Sequence, residues 1–385
     1  MLKIMLAFIL FASSGFAEGV DFIKQDWDKA LDEAEKTGKP IFVDAYTDWC
    51  GWCKVMDQKT FSDKSIYSYM NKHFVNAKIN MEKGIGVKLA MKYQVTGFPS
   101  YLIFNNSGRL VYKTLGFMEP KDFIDVLKMI LKKTENPPYK GYSASFDIDY
   151  PQFYLDAFKK SGKRSFPEDK EIAEYFKTQD ELFSEKNWAV INRFDTPEDV
   201  NKFFLENMDK YKELYCESDV DRKFGKILNK KTQNAIKQND EEKLAEIGNF
   251  IDKYKKEDRE YIKRNIRINF YKETENWNKY FENVADHIKN LNPEDNHYQM
   301  NNYCWEIYEN IDDPDHLNFA KNTMKKVCEV KQTFAYTDTY AALLYKTGNY
   351  SEAKQYAEKA IKLSKKENRN PESTKKLLKK INEKL

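Results

Sequence analysis

The chain has 385 residues, of which 64 are lysine or arginine and 61 are aspartate or glutamate, giving a formal net charge of +3. Charges of both signs are interspersed, which argues against a nucleic-acid-binding protein, because such proteins concentrate their basic residues in a patch or stripe. Aromatic residues make up 15% of the chain. This content argues against intrinsic disorder, and the length predicts two to three folded domains.

The N-terminus is predicted to be a secretory signal peptide, residues 1–17. Residues 1–3 contain a lysine, residues 4–12 are apolar, and residues 15–17 (Gly-Phe-Ala) have the small–x–small pattern of a cleavage site. The apolar run is too short to span a bilayer. We therefore expect cleavage after Ala17 and no transmembrane segment in the mature chain, with an uncleaved membrane anchor as the alternative.

An apolar run at residues 41–44 leads directly to a C-x-x-C motif in the stretch Trp-Cys-Gly-Trp-Cys, residues 49–53. A strand that delivers such a motif to the start of a helix is typical of a redox site. The first cysteine, Cys50, would lie where unpaired helix N–H groups favour a thiolate, which makes it the candidate nucleophile. Cys53 lies three residues on, within disulfide range, and is the candidate resolving thiol.

Two other interpretations of the motif are weaker. A zinc site needs a second ligand pair, and a structural disulfide across so short a loop would restrict the unfolded chain little. The remaining cysteines and the histidines form no such pair; they are Cys216, Cys304, Cys328, His73, His287, His297 and His316. We expect no metal and no organic cofactor, because the redox-active pair carries the electrons itself.

The sequence around this motif resembles the thioredoxin family. Residues 43–51 are similar to the family's V-D-F-W-A-x-W-C-G run, residues 78–80 to its K-x-N, and residues 95–100 to the segment that carries its cis-proline. Residues 101–112 indicate a hairpin, and residues 120–132 an amphipathic helix that closes the domain. The resemblance implies an α/β thioredoxin-like domain over residues 18–132, with a central mixed sheet flanked by helices.

The resemblance also implies roles for individual residues. Asp44, on a strand covered on both faces, would have a pKa raised by burial and would act as the base for Cys53; a solvated carboxylate is the alternative. Lys78 would pair with Asp44 and tune it, unless it is solvated. Substrate-binding roles are expected for Pro99, Phe98, Trp49, Gly51 and Trp52, although the two tryptophans also suit half-buried surface. Trp52 replaces the family's usual proline between the cysteines.

The rest of the chain is predicted to be helical. Residues 133–150 are polar, contain two adjacent prolines, and indicate a linker. Residues 151–298 have helical periodicity and form a predicted all-α region. Residues 299–385 resemble tetratricopeptide repeats, because three positions recur with a spacing of 33 residues. These positions are Ala320, Met324 and Val327 in one copy and Ala353, Ala357 and Ala360 in the next.

The sequence therefore predicts an exported thiol–disulfide oxidoreductase that reduces or isomerises disulfides of proteins or peptides. The periplasm is the expected compartment, with a eukaryotic secretory compartment as the alternative. A membrane thiol-reducing partner would recharge it, and the helical-repeat domain would dock substrates or partners, or else only stabilise the enzyme. A redox-inert or redox-sensing binding protein that uses the helical array is the competing class. Cys304 and Cys328 are expected to be buried hydrophobic residues, or else to pair in a second disulfide.

Overall fold

The computed structural model of the chain describes residues 19–385, so the predicted signal peptide, residues 1–17, lies outside the described residues. The chain divides into two compact units, Met1–Ile227 and Leu228–Leu385. Among the described residues, no helix combines the length and the apolar character that crossing a membrane requires.

One five-stranded mixed sheet forms the centre of the first unit, in the order β1–β3–β2–β4–β5. The strands are β1 (Phe22–Lys24), β2 (Ile41–Tyr46), β3 (Val75–Asn80), β4 (Ser100–Phe104) and β5 (Leu110–Leu115). β3 runs parallel to both β1 and β2, whereas β4 is antiparallel to β2 and β5. β2 is central and buried on both faces, which explains why its sequence is a nearly continuous apolar run interrupted by Asp44.

Five helices flank this sheet, and a π-helical turn, Met56–Thr60, continues the second of them. The helices are α1 (Trp27–Thr37), α2 (Gly51–Val55), α3 (Lys64–His73), α4 (Ile85–Lys92) and α5 (Pro120–Lys133). Their first residues follow the usual capping chemistry. Asp26 accepts the Lys29 N–H at the start of α1, Asp63 accepts the Ser65 N–H at the start of α3, and Pro120 occupies the first turn of α5.

An apolar core lies between the sheet, the π-helical turn and the helices α3 and α5. Its members are fully or almost fully buried aliphatic and aromatic side chains, and they include Phe42, Met56, Ile66, Met70, Tyr101, Ile103, Phe123, Leu127 and Ile130. Gly86 permits a close approach of α4 to the end of β3, because a Cβ at this position would lie 2.0 Å from the backbone oxygen of Asn80. The mixed α/β domain predicted from the sequence, followed by an all-α region, is thus confirmed.

Residues 134–151, between α5 and the next helix, contain no helix or strand but are packed in part against the first domain. Tyr142 is buried, and its ring contacts the rings of Tyr93 and Tyr215 at centroid distances of 5.1 and 5.2 Å. The Tyr139 N–H donates to the Leu110 oxygen. Residues 133–150, for which the sequence predicts a linker, therefore pack in part against the first domain. They belong to the first unit, which ends at Ile227.

Six helices follow in the chain, and buried ion pairs connect two of them to the sheet domain. The six helices are α6 (Gln152–Asp156), α7 (Asp169–Phe176), α8 (Glu185–Arg193), α9 (Glu198–Glu206), α10 (Met208–Leu214) and α11 (Glu217–Gln238). Lys92 at the end of α4 pairs with Glu185, and Lys113 on β5 lies 2.7 Å from Asp219, whose side chain is fully buried. Burial lowers the pKa of Lys92, although its pairing with Glu185 opposes that effect. Such pairs are costly to break once formed, because one charge is left buried alone.

The second unit is entirely helical. It contains the end of α11 and then α12 (Glu241–Tyr254), α13 (Arg259–Glu273), α14 (Trp277–Lys289), α15 (Pro293–Asn310), α16 (Pro314–Val330), α17 (Phe334–Lys346), α18 (Tyr350–Lys366) and α19 (Glu372–Asn382). Helices consecutive in the chain from α12 to α19 pack against each other. The six positions of the 33-residue spacing are all fully buried. Gly348, with φ of 79°, lies in the turn between α17 and α18. Assignment of this region to the tetratricopeptide class stays a prediction.

Candidate active site

The two cysteines of the C-x-x-C motif form a disulfide at the start of α2. Cys50 is the N-cap residue of this helix, and its Sγ accepts a hydrogen bond from the Cys53 N–H at 3.0 Å. The Cys50 N–H donates to the Thr47 oxygen, so a tight turn connects the motif to the end of β2. The sulfur that caps a helix is the one that the helix N–H groups would stabilise as a thiolate after reduction.

Asp44 is buried on β2, six residues before Cys50, with only 1% of its surface exposed. Burial raises the pKa of its carboxyl group to about 6, and the ammonium group of Lys78 opposes the rise. The Lys78 Nζ lies 2.8 Å from Asp44 Oδ2. Apart from this contact with Lys78, neither carboxylate oxygen has a hydrogen-bond partner among the described residues. A carboxyl group with a pKa near 6 can exchange a proton close to neutral pH.

Lys78 also contacts a second carboxylate, Asp57 on the π-helical turn after α2. Its Nζ lies over the ring of Tyr46, 5.2 Å from the centroid. Lys78 is thus shared between a buried acid and a half-exposed one, and Asp57 raises the pKa of Asp44 slightly. The sequence prediction missed Asp57. The signal was its position four residues after Cys53, which places the two on one face of a helix.

Exposed aromatic side chains surround the disulfide. Trp49 is 54% exposed and Trp52 is 61% exposed. The ring of Trp49 meets the edge of Phe98 at 5.8 Å, and the ring of Trp52 stacks on Phe117 at 5.4 Å. The peptide bond between Phe98 and Pro99 is cis, as the family resemblance implies.

The structure brings most of the predicted site residues together in pairs. Cys50 is bonded to Cys53, Asp44 pairs with Lys78, and Trp49 contacts Phe98, as shown above. Gly51 is exposed between Cys50 and Trp52. Phe117 was missed, because the sequence offers only an aromatic residue after a glycine, with no spacing that relates it to Trp52.

Cys216, Cys304 and Cys328 are free thiols, and all three are buried. The alternative of a disulfide between Cys304 and Cys328 is therefore wrong for this structure. Burial raises the pKa of Cys328 to about 12 and the pKa of Cys304 even further. A thiol with such a pKa carries almost no thiolate at neutral pH and is a poor nucleophile. Within residues 19–385, no group of three or more His, Cys, Asp or Glu side chains is arranged to hold a metal ion.

Comparisons with known proteins agree with this geometry. A family model described as a thioredoxin-like domain matches residues 27–131. Residues 27–131 form a thioredoxin-like domain. A thiol:disulfide interchange protein DsbD from Yersinia pestis is 31% identical over 98 residues, which are 25% of this chain and 16% of the relative. A protein disulfide-isomerase from Hordeum vulgare is 31% identical over 110 residues, 29% of this chain and 21% of the relative.

The family model matches the thioredoxin-like part of the chain, residues 27–131. The chain spans between 16% and 21% of the length of these two relatives. Among solved structures, a protein from Bacteroides thetaiotaomicron proposed to be a disulphide-isomerase is 38% identical and covers 30% of this chain and 97% of its own, with a TM-score of 0.29. The helical residues after 131 lie outside the family match.

Proposed function

We propose that this protein is an exported thiol–disulfide oxidoreductase that reduces or isomerises disulfide bonds of polypeptides. The observation that carries the proposal is the Cys50–Cys53 disulfide at a helix start, on the same chain segment as a buried carboxyl group whose pKa is about 6. Three exposed or half-exposed aromatic rings beside it, on Trp49, Trp52 and Phe98, are suited to contacting a polypeptide. The names of the relatives agree with this chemistry.

The proposed reaction begins with the reduced protein. The Cys50 thiolate attacks one sulfur of the substrate disulfide, a Cys50–substrate bond forms, and the other substrate sulfur leaves as a thiolate. Cys53 then transfers its proton to Asp44 and attacks Cys50 Sγ. The Cys50–Cys53 bond forms, the second substrate sulfur leaves, and two electrons have passed from the enzyme to the substrate.

Each turnover of a reductase leaves the protein oxidised, so a further thiol donor must restore it. We propose a membrane thiol-reducing partner for this step and the periplasm as the compartment, because residues 1–17 have the pattern of a secretory signal. Intact-mass measurement of the exported protein tests the predicted export and cleavage of residues 1–17. A mature chain that begins at Glu18 is expected, and any other N-terminus would remove the assignment.

The all-helical second unit is proposed to dock a substrate or partner. A cleft of about 430 Å³ in this unit is lined by polar and aromatic side chains, among them Asn301, Trp305, Phe334 and Asp338. Trp305 and Phe334 are both part-exposed in this cleft, and such aromatic side chains suit contacts with an extended peptide.

The reduction potential of the Cys50–Cys53 pair is the experiment that tests the proposed activity, with Cys50→Ser as the control. Equilibration with glutathione should give a value near about −270 mV for a thioredoxin-like reductant, whereas about −120 mV would indicate an oxidant. A pair that does not exchange with glutathione at all would remove the enzyme and leave a binding protein.

A further inference from the structure

Glu82 links the active-site rim to a part of the chain outside the thioredoxin-like domain. It follows β3, and its side chain is only 6% exposed. Its Oε2 accepts a hydrogen bond from the indole Nε1–H of Trp49 at 3.1 Å. Its Oε1 accepts the backbone N–H of Ser161 at 2.9 Å and a guanidinium N–H of Arg164 at 3.4 Å. One carboxylate therefore connects the residue before Cys50 to the loop after α6.

That loop is itself held in place. The Arg164 Nε donates to the Lys159 oxygen at 3.0 Å, which fixes the guanidinium group relative to its own backbone. Arg193 on α8 lies over the rings of Phe158 and Phe166, at 4.9 and 5.4 Å from their centroids. The loop after α6, which donates these hydrogen bonds to Glu82, is thus itself packed against Arg193 on α8.

The contact matters because Trp49 is otherwise largely solvent-exposed. An exposed tryptophan side chain samples several rotamers, and ordering it on binding costs free energy. Here the indole is held at two points, by Glu82 on its N–H and by the edge of Phe98 on its ring. A contact surface that is already ordered before the substrate arrives binds more tightly than one that must be ordered.

We propose that Glu82 is a positioning residue, which Ser161 and Arg164 complete, and that it orients Trp49 as a contact surface for polypeptide substrates beside Cys50. This inference rests on the proposed function, in which Trp49 contacts the substrate. In this proposal the loop after α6, which lies outside the thioredoxin-like domain, contributes to substrate specificity. Polypeptide disulfides need this surface, whereas glutathione disulfide is small and depends mainly on the two cysteines.

Steady-state reduction of insulin and of glutathione disulfide separates the two cases, with dithiothreitol as the reductant that restores the Cys50 and Cys53 thiols and with the rate without enzyme subtracted. For Glu82→Ala we expect the KM for insulin to rise about fivefold, the equivalent of one lost hydrogen bond, with kcat little changed. Glu82→Gln keeps one acceptor oxygen for the indole but turns its NH2 group toward the donors of Ser161 and Arg164, so it should restore only part of the loss. Arg164→Ala should raise the same KM by about twofold, because it removes one partially exposed ion pair. Glutathione disulfide reduction should not change in any of them.

A spectroscopic measurement tests the orientation of Trp49 without turnover. The indole N–H resonance of Trp49, assigned by its loss in Trp49→Phe, should shift in both Glu82→Ala and Arg164→Ala. Lys159→Ala is the matched control, because it removes a cation of the same loop that pairs with Asp156 and not with Glu82. It should leave both the resonance and the KM for insulin unchanged.

The outcomes distinguish the inference from the function on which it rests. An unchanged resonance and an unchanged KM in both Glu82→Ala and Arg164→Ala would overturn the inference. A response to Glu82→Ala but not to Arg164→Ala would overturn the contribution of the loop after α6. Failure of the wild-type protein to react with either disulfide would instead overturn the proposed function, and the resonance would still decide whether Glu82 and Arg164 position Trp49. Since Arg164 is 31% exposed, its variant should fold even if Glu82→Ala does not.

Discussion

At the scale of single residues, Asp44 suits the proposed chemistry but lowers the stability of the folded protein. Burial raises its pKa and Lys78 lowers it, and the effect of burial is the larger. A pKa of about 6 suits a proton acceptor near neutral pH, but it also means that the ionised form is costly to bury. Functional groups of this kind commonly reduce the stability of the fold that holds them.

Replacement of Asp44 by asparagine should stabilise the protein at neutral pH. A carboxyl group with a higher pKa in the folded state favours folding below its unfolded pKa of 3.8, and this contribution is lost as the pH rises through about 6. The difference corresponds to about 3 kcal/mol at pH 8. We expect Asp44→Asn to raise the free energy of unfolding by up to that amount at pH 8, and by little at pH 3.5. Urea denaturation at both pH values measures it.

Asp57→Asn is the matched control, because it removes the other acid on Lys78 from a half-exposed position. We expect it to change the free energy of unfolding by less than about 1 kcal/mol. A gain in Asp44→Asn that is equal at both pH values would contradict the explanation by proton linkage.

The same substitution should slow turnover. Cys53 must lose a proton before it resolves the mixed disulfide, and the amide side chain of the variant Asp44→Asn is unable to accept it. The variant should therefore release substrate more slowly by about a hundredfold or more. Alkylation of Cys50 by iodoacetamide should stay intact. In the wild-type protein the rate should fall as the pH drops below about 6, and this dependence should be absent from the variant. Equal turnover would remove Asp44 from the mechanism.

The three free cysteines should be unreactive in the folded protein. Cys216, Cys304 and Cys328 are buried, and burial keeps the thiols of Cys304 and Cys328 protonated at neutral pH. We expect three thiols to titrate with a thiol reagent in denaturant and none to react rapidly without it, while the Cys50–Cys53 disulfide stays oxidised. A count of one thiol in denaturant would indicate a second disulfide.

At the scale of helices and strands, the sequence predicts the elements whose signals are local. The apolar run of β2, the C-x-x-C at the start of α2 and the amphipathic pattern of α5 each lie within a few residues. The closing helix was predicted for residues 120–132 and is observed as Pro120–Lys133. The packing of residues 134–227 on the domain could not be predicted, because it depends on pairs distant in sequence. Lys113 and Asp219, for example, are 106 residues apart.

The pair between β5 and α11 should contribute strongly to stability. Asp219 is fully buried and forms ion pairs with both Lys113 and Arg222. Replacing it by alanine leaves the Lys113 ammonium group buried with the Tyr93 oxygen as its one remaining acceptor among residues 19–385. Asp219→Ala should therefore cost about 3–5 kcal/mol in the free energy of unfolding, measured by urea denaturation.

Lys210→Ala serves as the control for that measurement. Lys210 pairs with Glu213 in the same unit, and both side chains are more than half exposed. We expect a loss of less than about 1 kcal/mol. Equal losses in the two variants would mean that the buried pair has no special contribution.

At the scale of the whole molecule, the limit of sequence similarity and the limit of packing differ. The family match ends at residue 131, whereas the first compact unit extends to Ile227. Tyr142, from beyond the match, contacts Tyr93 of the thioredoxin-like domain, and Tyr215 in turn contacts Tyr142. The domain is therefore incomplete, in this chain, without the helices that follow it.

Two shortened chains test this difference. A chain that ends at Gln238 removes α12–α19 and should keep cooperative unfolding and the rate with glutathione disulfide. A chain that ends at Pro138 also loses the cover over Tyr93, and it should be less stable by at least about 3 kcal/mol, since large side chains become exposed. Thermal unfolding followed by circular dichroism measures both. Equal melting temperatures would mean that the domain is independent.

The buried pairs Lys92–Glu185 and Lys113–Asp219 also constrain how this chain can diverge. Neither member of a pair can be lost alone without leaving its partner charged and buried, so the two positions should be inherited as a unit. Among relatives that carry the helical extension, substitutions at positions 92 and 185, and at positions 113 and 219, should co-vary. Thioredoxin-like proteins without the extension are under no such constraint, and their residues at the first position of each pair should vary freely.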